Sequence, residues 1–482
     1  MSPTDRDKAR RLQLRRRDFA VGLMTAALTP LAAKASANSA EPASFGAGFA
    51  KGAQGYEEAR LASVWSQLKP DRYPDRIVSA KSVDDVVAVV RHARSKGMKI
   101  ATKGSGHSYV ASFLREGGLL LDMSGLTGVQ IEGETALVGP GVKSGVFAAA
   151  LVEKGRAFPT GHNADVGLGG FLLGGGMGWN GESWGQFACF NVLSVDVVTP
   201  EGKRVTASAT SHPDLFWAAR GGGPAFPGVV TGVRVKTYPH PQGLRSSHYL
   251  YPIEAAEEIA AWLSPIGLSA HGNLETFLSL EAEPVEHGKR KRRDLCRVFV
   301  LAYDTESASL DKLKQVAAAA PKGATEKHEF AAVSFAELYA NSITGPSRRI
   351  ANDTLWTNDG IGLTARFAPH AAASPSEANS IIINFRGAPK LPADAPMRAG
   401  STFTTFAAQW EGEANDAANL EWIAAAVDAI NPLGVGCYVN ETDFLRRPER
   451  ARLCFTDASW AKLSDVIRAY DPKGLFPPAF PV

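Results

Sequence analysis

The sequence has few cysteines, no metal-binding spacing and no dinucleotide-binding fingerprint of the Rossmann type. Only four of its 482 residues are cysteine, and none forms a Cys-x-x-Cys pair, so the pattern favours neither a zinc site nor a thioredoxin-like dithiol. Disulfides between these scattered cysteines cannot be paired from spacing alone, and buried or free thiols are the simpler interpretation. No metal site is therefore expected.

The chain also lacks a large excess of positive or negative charge. Lys and Arg together number 52 against 49 Asp and Glu, and the formal net charge is +3. Much of the positive excess lies in residues 1–17, so the remainder is close to neutral and we expect no nucleic-acid partner. A basic run at 286–293 is typical of a solvated loop. The 45% hydrophobic content indicates a globular protein with sizeable cores.

The N-terminal segment has the three regions of a signal peptide. Arginines at 15–17 precede Phe19, an apolar stretch covers residues 20–33, and small residues follow at 35–37. This order predicts a twin-arginine signal peptide over residues 1–37, with a basic tail as the alternative. We therefore expect a periplasmic or secreted protein that uses the twin-arginine export machinery. Later apolar runs are too short for a membrane span in the mature protein.

The rest of the chain is predicted to form two α+β domains. Residues 38–60 are rich in Ala, Gly and Ser, which is typical of a flexible arm. Residues 61–240 alternate short apolar strands with helices, one of which is predicted to begin with a capping box at Ser82. Around Pro239 the glycines become fewer and the helices longer. This change predicts a second domain at 241–425, followed by a C-terminal segment at 426–482.

Glycine is abundant, at 47 residues, and it is concentrated in two candidate ligand-binding loops. Residues 103–109 (KGSGHSY) and 161–178 combine many backbone N–H groups with residues that lack Cβ. Such loops allow the backbone to approach a dinucleotide pyrophosphate closely. Neither follows a strand as Gly-x-Gly-x-x-Gly opening a helix, and either loop alone is weak evidence.

The order of the motifs is more specific than any single motif. Tyr-Pro-Asp at 73–75 is followed by KGSGHSY, LLLDMSGL, PTGHNADVGLGGFLLGGGMGWNGESWG, LSVDVVTPEG, DLFWAARGGG and GVVT. This series closely resembles the PCMH-type FAD-binding domain of the vanillyl-alcohol-oxidase family. The later strings RAG at 398–400, YVN at 438–440 and YDPKGLF at 470–476 resemble its berberine-bridge-enzyme-like branch. The resemblance covers nearly the whole mature chain.

The resemblance implies a fold and a cofactor. It implies an α+β protein with a two-lobed FAD-binding domain at 61–240, a substrate domain with an antiparallel sheet at 241–425, and a C-terminal segment that returns to the FAD domain. In this branch a histidine of the Gly-x-Gly-His loop is bonded to the flavin 8α-methyl carbon, and His107 occupies that position. Many relatives add a second bond from a cysteine, but Asn163 stands there, so a single covalent bond is predicted. A packed histidine beside noncovalent FAD is the alternative.

The resemblance also implies a set of cofactor-binding residues. Val166 stands where a family residue controls access of dioxygen, and valine is compatible with an oxidase. Phe171 replaces a histidine that relatives often carry after the paired glycines. The implied cofactor-binding residues are Gly104, Ser105, Gly106, His107, Ser108, Gly161, Asn163, Val166, Gly169, Gly170, Gly174, Gly175, Gly176, Val230 and Asn440.

Glu441 and Tyr438 are the candidate catalytic residues. Oxidation of a C–H group beside O–H or N–H requires a base for the heteroatom proton. The family often uses the tyrosine after the asparagine of Tyr-x-Asn-Tyr, and Glu441 replaces it here; a carboxylate with a raised pKa can serve as such a base. Alternation in a strand would point Glu441 away from Tyr438 unless the strand ends at Asn440. A surface ion pair with Arg446 or Arg447 is the other interpretation of Glu441, and Tyr438 is then the fallback base.

Three further side chains have weaker claims. Thr404 lies near the position where some relatives place a catalytic glutamate, but a threonine hydroxyl cannot act as a base at ordinary pH. Trp179 and Trp410 could stack on an aromatic or sugar substrate, although core packing is the simpler explanation for each.

Three functions stay open at this point. The first is an oxidase that removes a hydride from a CH–OH or CH–NH group of a small molecule and passes electrons to dioxygen, producing hydrogen peroxide. The second is a dehydrogenase that uses a periplasmic electron carrier. The third is a binding protein that keeps the flavin fold without turnover, because fold does not fix function. Sugars, aromatic alcohols and amines all fit as substrates.

Overall fold

The computed structural model describes residues 48–269, 273–282, 294–304, 308–340 and 348–482. The predicted signal peptide, the first part of the predicted arm and the basic run at 286–293 lie outside these ranges. The observed architecture consists of three main sheets with helices packed on them, in agreement with the predicted α+β class.

The first sheet contains four short strands in the order β1-β2-β4-β3. The strands are β1 (Gly48–Ala50), β2 (Arg76–Ser79), β3 (Ile100–Lys103) and β4 (Leu119–Asp122), accompanied by helices α1 (Tyr56–Ala62) and α2 (Val83–Lys96). β4 is parallel to both β2 and β3, while β1 is antiparallel to β2. The predicted capping box is confirmed, since Ser82 Oγ accepts from the Asp85 amide and the Asp85 carboxylate accepts from the Ser82 amide.

The second sheet is antiparallel and has the order β5-β6-β10-β8-β9. Its strands are β5 (Val129–Glu132), β6 (Thr135–Val138), β8 (Val192–Val198), β9 (Arg204–Ser208) and β10 (Val229–Lys236), while β7 (Arg156–Ala157) pairs with β11 (Tyr238–Pro239). Helices α3 (Ser144–Val152), α4 (Leu168–Leu173) and α5 (Pro213–Ala218) connect them. Both glycine-rich loops therefore emerge from strand ends, one after β3 and one after β7.

The third sheet is an eight-stranded antiparallel sheet in the order β15-β12-β14-β13-β17-β18-β16-β19. Its strands are β12 (Arg245–Pro252), β13 (Leu274–Ala282), β14 (Asp294–Ala302), β15 (Glu326–Ala332), β16 (Arg349–Thr357), β17 (Ser380–Phe385), β18 (Thr402–Trp410) and β19 (Gly434–Gly436). The helices of this region are α6 (Ala256–Ser269), α7 (Ala308–Ala318), α8 (Phe335–Ala340), α9 (Gly360–Ala372) and α10 (Asp416–Ile430). This is the antiparallel sheet that the resemblance implied.

The two faces of this sheet have different neighbours. Phe406 of β18 packs against Phe367 of α9, with ring centroids 4.9 Å apart. Because side chains alternate along a strand, Thr404 shares the face of Phe406, and Thr405 lies on the opposite face. That opposite face carries Asn352 and Thr405 and contributes side chains to the candidate site.

The C-terminal segment returns to the first sheet. After helices α11 (Glu449–Leu453) and α12 (Asp457–Tyr470), the amide of Ile100 donates to Leu475 O at 2.8 Å. Leu475 and Phe476 are buried in the core that packs on the first sheet. The return that the resemblance implied is observed, whereas the exact domain boundaries stay predictions.

The sequence predicts buried or free cysteine thiols and no membrane span in the mature protein, and the structure bears on both predictions. Cys189, Cys296, Cys437 and Cys454 are all described, buried and not bonded as disulfides. Within the described ranges, no helix combines the length and the apolar character that crossing a bilayer requires.

Candidate active site

A cleft of about 300 Å³ lies between the two glycine-rich loops and a turn in the C-terminal segment. The first loop, 104–109, follows β3, and the second, 161–170, runs from the end of β7 into α4. The turn, at 438–441, follows β19. Val230 of β10 completes the wall. Residues from at least four separate parts of the sequence therefore meet in one cleft.

His107 lines this cleft, and one of its ring nitrogens has no hydrogen-bond partner among the described residues. Its imidazole stacks on the indole of Trp65, with ring centroids 4.0 Å apart and an interplanar angle of 11°. Its Nε2 is buried and has no hydrogen-bond partner among the residues that the structure describes. Burial lowers the pKa of His107 to about 4, because removal from water disfavours the charged form. The ring is therefore neutral at ordinary pH.

Glycines let the two loops lie against one another and against their neighbours. Gly106 has a φ of 82°, and a Cβ there would stand 2.3 Å from Ser63 O. The hydroxyl of Ser105 accepts from the Gly167 amide at 2.9 Å, and a Cβ on Gly167 would collide with that serine. A Cβ on Gly170 would instead meet nothing within 4 Å, so the missing side chain keeps this part of the cleft wall open.

Tyr438 ties the C-terminal turn to the second glycine-rich segment. Its buried hydroxyl accepts hydrogen bonds from the amides of Gly176 and Met177, at 3.1 and 3.3 Å, and from Asn440 Nδ2 at 3.0 Å. The Asn440 amide also donates to Phe171 O at 3.2 Å. Burial raises the pKa of Tyr438 well above its usual range. The hydroxyl therefore holds the C-terminal turn against the second glycine-rich segment, and we call these three hydrogen bonds the Tyr438 clamp. Because its pKa is so high, the hydroxyl is a poor candidate for a base.

Glu441 reaches the cleft because β19 ends early. The strand stops at Gly436, and the amides of Glu441 and Thr442 both donate to Tyr438 O at 3.0 Å, which closes a turn. Tyr438 and Glu441 therefore both line the cleft. The requirement that the strand end by Asn440 is met.

The Glu441 carboxylate is held by the eight-stranded sheet. Its Oε2 accepts from Thr405 Oγ1 at 3.2 Å and from Asn352 Nδ2 at 3.4 Å. Burial raises the pKa of Glu441, against the lowering effect of the Thr405 hydrogen bond. The ion-pair interpretation is wrong, because Arg446 pairs with Asp443 and Arg447 pairs with Asp428.

The weaker candidates do not belong to the cleft wall. Thr404 donates to Ile382 O at 3.0 Å and faces the helices, whereas its neighbour Thr405 contacts Glu441. Trp410 is 2% exposed and donates to Asp416 at 2.7 Å, which confirms core packing. Trp179 is also buried, and its ring contacts that of His162.

Most of the residues predicted to bind the cofactor line the cleft. Asn163, whose side chain accepts from the Asp165 amide, is among them. Gly174, Gly175 and Gly176 are not among them. The Gly176 amide donates to the Tyr438 hydroxyl, and a Cβ on Gly174 would stand 1.9 Å from Asn440 Oδ1. The predicted site residues that line the cleft are Gly104, Ser105, Gly106, His107, Ser108, Gly161, Asn163, Val166, Gly169, Gly170, Val230, Tyr438, Asn440 and Glu441.

Sequence reasoning missed three aromatic residues of the site. Trp65 stacks on His107, Tyr109 lines the cleft, and His162 lines it beside Asn163. Tyr109 and His162 lie inside the two glycine-rich segments, next to residues predicted to bind the cofactor. Their place in the site could therefore have been predicted from the sequence. Trp65 lies far upstream of its partner and has no local motif.

Comparison with known proteins identifies the family. A family model described as an FAD binding domain matches residues 74–208. The FAD-linked oxidoreductase penO of Penicillium crustosum is 31% identical over 316 residues, which cover 64% of this chain and 69% of penO. The chain belongs to the FAD-linked oxidoreductases. It is an FAD-dependent enzyme, and the resemblance to the vanillyl-alcohol-oxidase family is confirmed.

Two further comparisons extend this likeness over most of the chain. The (R)-6-hydroxynicotine oxidase of Paenarthrobacter nicotinovorans is 26% identical, over 86% of this chain and 92% of its own length. The solved structure of BBE-like 1 from Physcomitrella patens superposes with a TM-score of 0.77 at 20% identity, covering 90% of this chain and 96% of that one. At that identity, the superposition shows the shared fold.

The cleft of this FAD-linked oxidoreductase suits its cofactor. The glycines of its loops leave space for a ligand, since the missing Cβ of Gly170 keeps part of the cleft open. The unpartnered Nε2 of His107 adds a nitrogen suited to holding the cofactor. Within the described part of the chain, no group of three or more His, Cys, Asp or Glu residues could bind a metal ion.

We expect Tyr438→Phe to loosen the turn that carries Glu441. The change leaves the amides of Gly176 and Met177 without their acceptor, and it should lower the free energy of unfolding by about 1–3 kcal/mol. Urea titration followed by tryptophan fluorescence measures this loss. Tyr470→Phe is the matched control, since among the described residues that hydroxyl makes a single hydrogen bond, with His212 at 3.3 Å. Equal midpoints for the two variants would show that the clamp contributes nothing.

Proposed function

We propose that this protein is an oxidase that removes a hydride from a CH–OH or CH–NH group of a small organic substrate and produces hydrogen peroxide. The substrate classes are sugars, aromatic alcohols and amines. The observation that carries the proposal is the presence, in one cleft, of the uncommitted His107 nitrogen and the Glu441 carboxylate. The first supports attachment of a cofactor, and the second supports removal of a proton.

His107 holds FAD through a single covalent bond in this proposal. Its low pKa keeps the ring neutral, and a neutral imidazole nitrogen is a nucleophile. Stacking on Trp65 fixes the ring plane. Asn163 occupies the position where many relatives carry a second attachment residue, and an amide forms no such bond.

Glu441 takes the heteroatom proton of the substrate. FAD, when bound, supplies the hydride acceptor. Hydrogen bonds from Thr405 and Asn352 orient the carboxylate in the cleft. Its raised pKa makes the carboxylate a stronger base than an exposed glutamate.

The choice of dioxygen as acceptor is supported by Val166 and by a relative. Val166 lines the cleft, where valine leaves more room than a larger residue would. The (R)-6-hydroxynicotine oxidase, which aligns over most of the chain, is named as an oxidase. A dehydrogenase that passes electrons to a periplasmic carrier is the competing function.

Anaerobic mixing with a panel of sugars, aromatic alcohols and cyclic amines tests the proposal. At least one class should bleach the flavin absorbance, and admission of air should restore it with release of hydrogen peroxide. Bleaching that is reversed only by an added artificial acceptor would identify a dehydrogenase. Absence of bleaching by every class would contradict hydride removal from these substrates.

Replacement of the attachment residue should release the cofactor. After acid precipitation, wild-type protein should keep its yellow colour in the pellet, whereas His107→Ala should leave all pigment in the supernatant, because the bonding nitrogen is gone. Absorbance of the two fractions at the flavin maximum measures the distribution. His328→Ala, an exposed histidine of β15, is the control and should behave as wild type. Pigment in the supernatant of wild-type protein would rule out the bond.

The pH dependence of flavin reduction should report on Glu441. A base must be ionised, and the pKa of this carboxyl is raised, so the rate should be constant at high pH and fall as pH drops through that raised value. Glu441→Gln should slow reduction by about 100-fold or more and remove this pH dependence. Stopped-flow absorbance gives both results, with Glu449→Gln on the exposed side of α11 as control. A variant that keeps the wild-type profile would exclude Glu441 as the base.

We also propose that the protein is exported by the twin-arginine route, on the strength of the segment at 1–37. Replacing Arg16 and Arg17 by lysine should keep the protein in the cytoplasm of a Gram-negative host, because that machinery recognises the paired arginines. Cell fractionation and flavin absorbance measure the distribution. Replacing Arg10 and Arg11 by lysine is the matched control. Unchanged export of the first variant would overturn the route.

A further inference from the structure

Trp65 stacks on His107 but does not form part of the cleft wall. The ring centroids of its indole and of the imidazole are 4.0 Å apart, and the two planes are inclined by 11°. His107 lines the cleft, whereas Trp65 is not among the described residues that do so. The indole therefore covers one face of the histidine ring from outside the space that a ligand would fill.

The segment that carries Trp65 contacts the first glycine-rich loop on both sides of His107. Trp65 Nε1 donates to Ser108 O at 3.3 Å, so the indole is held by the residue that follows the histidine. On the other side, a Cβ on Gly106 would stand 2.3 Å from Ser63 O. The glycine therefore allows an approach that any other residue would prevent.

The chain around Trp65 is itself held by hydrogen bonds. Lys69 Nζ donates to Val64 O at 2.6 Å, which closes the chain across Trp65. The Gln67 amide donates to Arg348 O at 2.9 Å, directly before the first residue of β16. The indole therefore stands on a segment that is fixed both by its own turn and by the eight-stranded sheet.

The orientation of the His107 ring depends on aromatic contacts. Its Nε2 is buried without a hydrogen-bond partner among the residues that the structure describes. The ring of Tyr109 stands edge-on to those of His107 and Trp65, with centroids 6.2 and 5.6 Å away. Rotation of the imidazole about its Cβ–Cγ bond would break the parallel contact with the indole, and aromatic pairs have preferred geometries. Stacking on Trp65 therefore decides the orientation of the ring plane.

We propose that Trp65 is the positioning residue for attachment of the cofactor, which sets the rate of bond formation at His107 and contributes little to binding of FAD. This inference rests on the proposed covalent bond. In that bond, an imidazole nitrogen replaces one hydrogen of the flavin 8α-methyl group. Two protons, one from that carbon and one from the imidazole, and two electrons pass to dioxygen, which becomes hydrogen peroxide. A fixed ring speeds such a step because the nucleophile no longer has to find its orientation.

Packing beside the loop is the purely structural alternative. A side chain that only fills this space needs volume and apolar character, which leucine also supplies. A stacking residue instead needs a flat ring, which phenylalanine keeps although it lacks the indole N–H. The two roles of Trp65 therefore differ in their response to Trp65→Leu and Trp65→Phe.

The rate of attachment separates these roles. Full-length protein is isolated at intervals after a short pulse of expression, and flavin fluorescence of the denatured protein band is compared with flavin released by acid. Trp65→Ala and Trp65→Leu should slow attachment at least about tenfold, whereas Trp65→Phe should stay within about threefold of wild type. A wild-type rate in Trp65→Leu, or an equal loss in Trp65→Phe, would overturn the proposal.

Trp262→Ala is the matched control for the attachment experiment. Trp262 is half-buried like Trp65, and its indole also packs against an aromatic ring, that of Tyr249, with centroids 5.3 Å apart. It lies in α6, and neither it nor Tyr249 is among the described residues that line the cleft. Loss of this indole should therefore leave the rate of attachment unchanged. Slowing equal to that of Trp65→Ala would show that loss of any such indole suffices, which contradicts a specific role of Trp65.

Binding of FAD without attachment gives a readout that involves no turnover. In a His107→Ala background, where the bond cannot form, adding Trp65→Ala should change the Kd for FAD by no more than about threefold, because Trp65 does not line the described cleft. Quenching of flavin fluorescence during titration of dialysed protein measures this Kd. A Kd raised tenfold or more would show that Trp65 binds the cofactor itself, which would overturn the positioning role.

Failure of this inference can be told apart from failure of the proposed function. If wild-type protein never acquires covalent flavin, the bond to His107 and this inference fall together, while the proposed role of Glu441 is untouched. If wild-type protein attaches its flavin and Trp65→Ala does so at the same rate, the bond stands and the role of Trp65 is wrong.

Discussion

The hydroxyl of Tyr438 is the contact on which the geometry of the site depends. It gathers two backbone amides of the second glycine-rich segment and the side-chain amide of Asn440. The approach is possible because Gly174 has no Cβ where Asn440 lies. Since Glu441 follows in the same turn, this clamp also places the carboxylate. A C-terminal turn thus becomes part of a cleft whose other walls were formed by residues more than 200 positions earlier.

Burial acts in opposite directions on the two reactive groups of the cleft. Removal from water disfavours any charged form, so it lowers the pKa of a histidine and raises that of a carboxylic acid. In this protein it keeps His107 neutral and makes Glu441 more basic. One physical cause therefore acts in opposite senses on the two groups that the proposed function uses, one as an attachment nitrogen and the other as a base.

The sequence was informative wherever short-range rules decide the structure. The capping box at Ser82 and the glycines around His107 follow from backbone geometry within a few residues, and both were predictable. The cofactor and family followed from the order of the motifs. Glu441 could be suspected because it stands where relatives carry a tyrosine, but its direction depended on where β19 ends, which alternation alone does not reveal.

Contacts between distant segments were beyond prediction. The pairing of His162 with Glu275 joins residues 113 positions apart, and no local pattern marks either of them. Thr404 was considered as a site residue, but its neighbour Thr405 is the one that contacts Glu441. Adjacent residues of a strand lie on opposite faces, so an error of one position selects the wrong face. The glycines at 174–176 are predicted to bind the cofactor, and in the fold each of them lies close to a neighbouring side chain that a Cβ would crowd.

The unbonded state of all four cysteines has a consequence for the biogenesis of the protein. A chain without disulfides needs no oxidising compartment to reach its native state, so it can fold completely where thiols are kept reduced. FAD is synthesised in that same compartment. Assembly of the flavoprotein can therefore be finished in that compartment, which is the order of events that the proposed twin-arginine export would require.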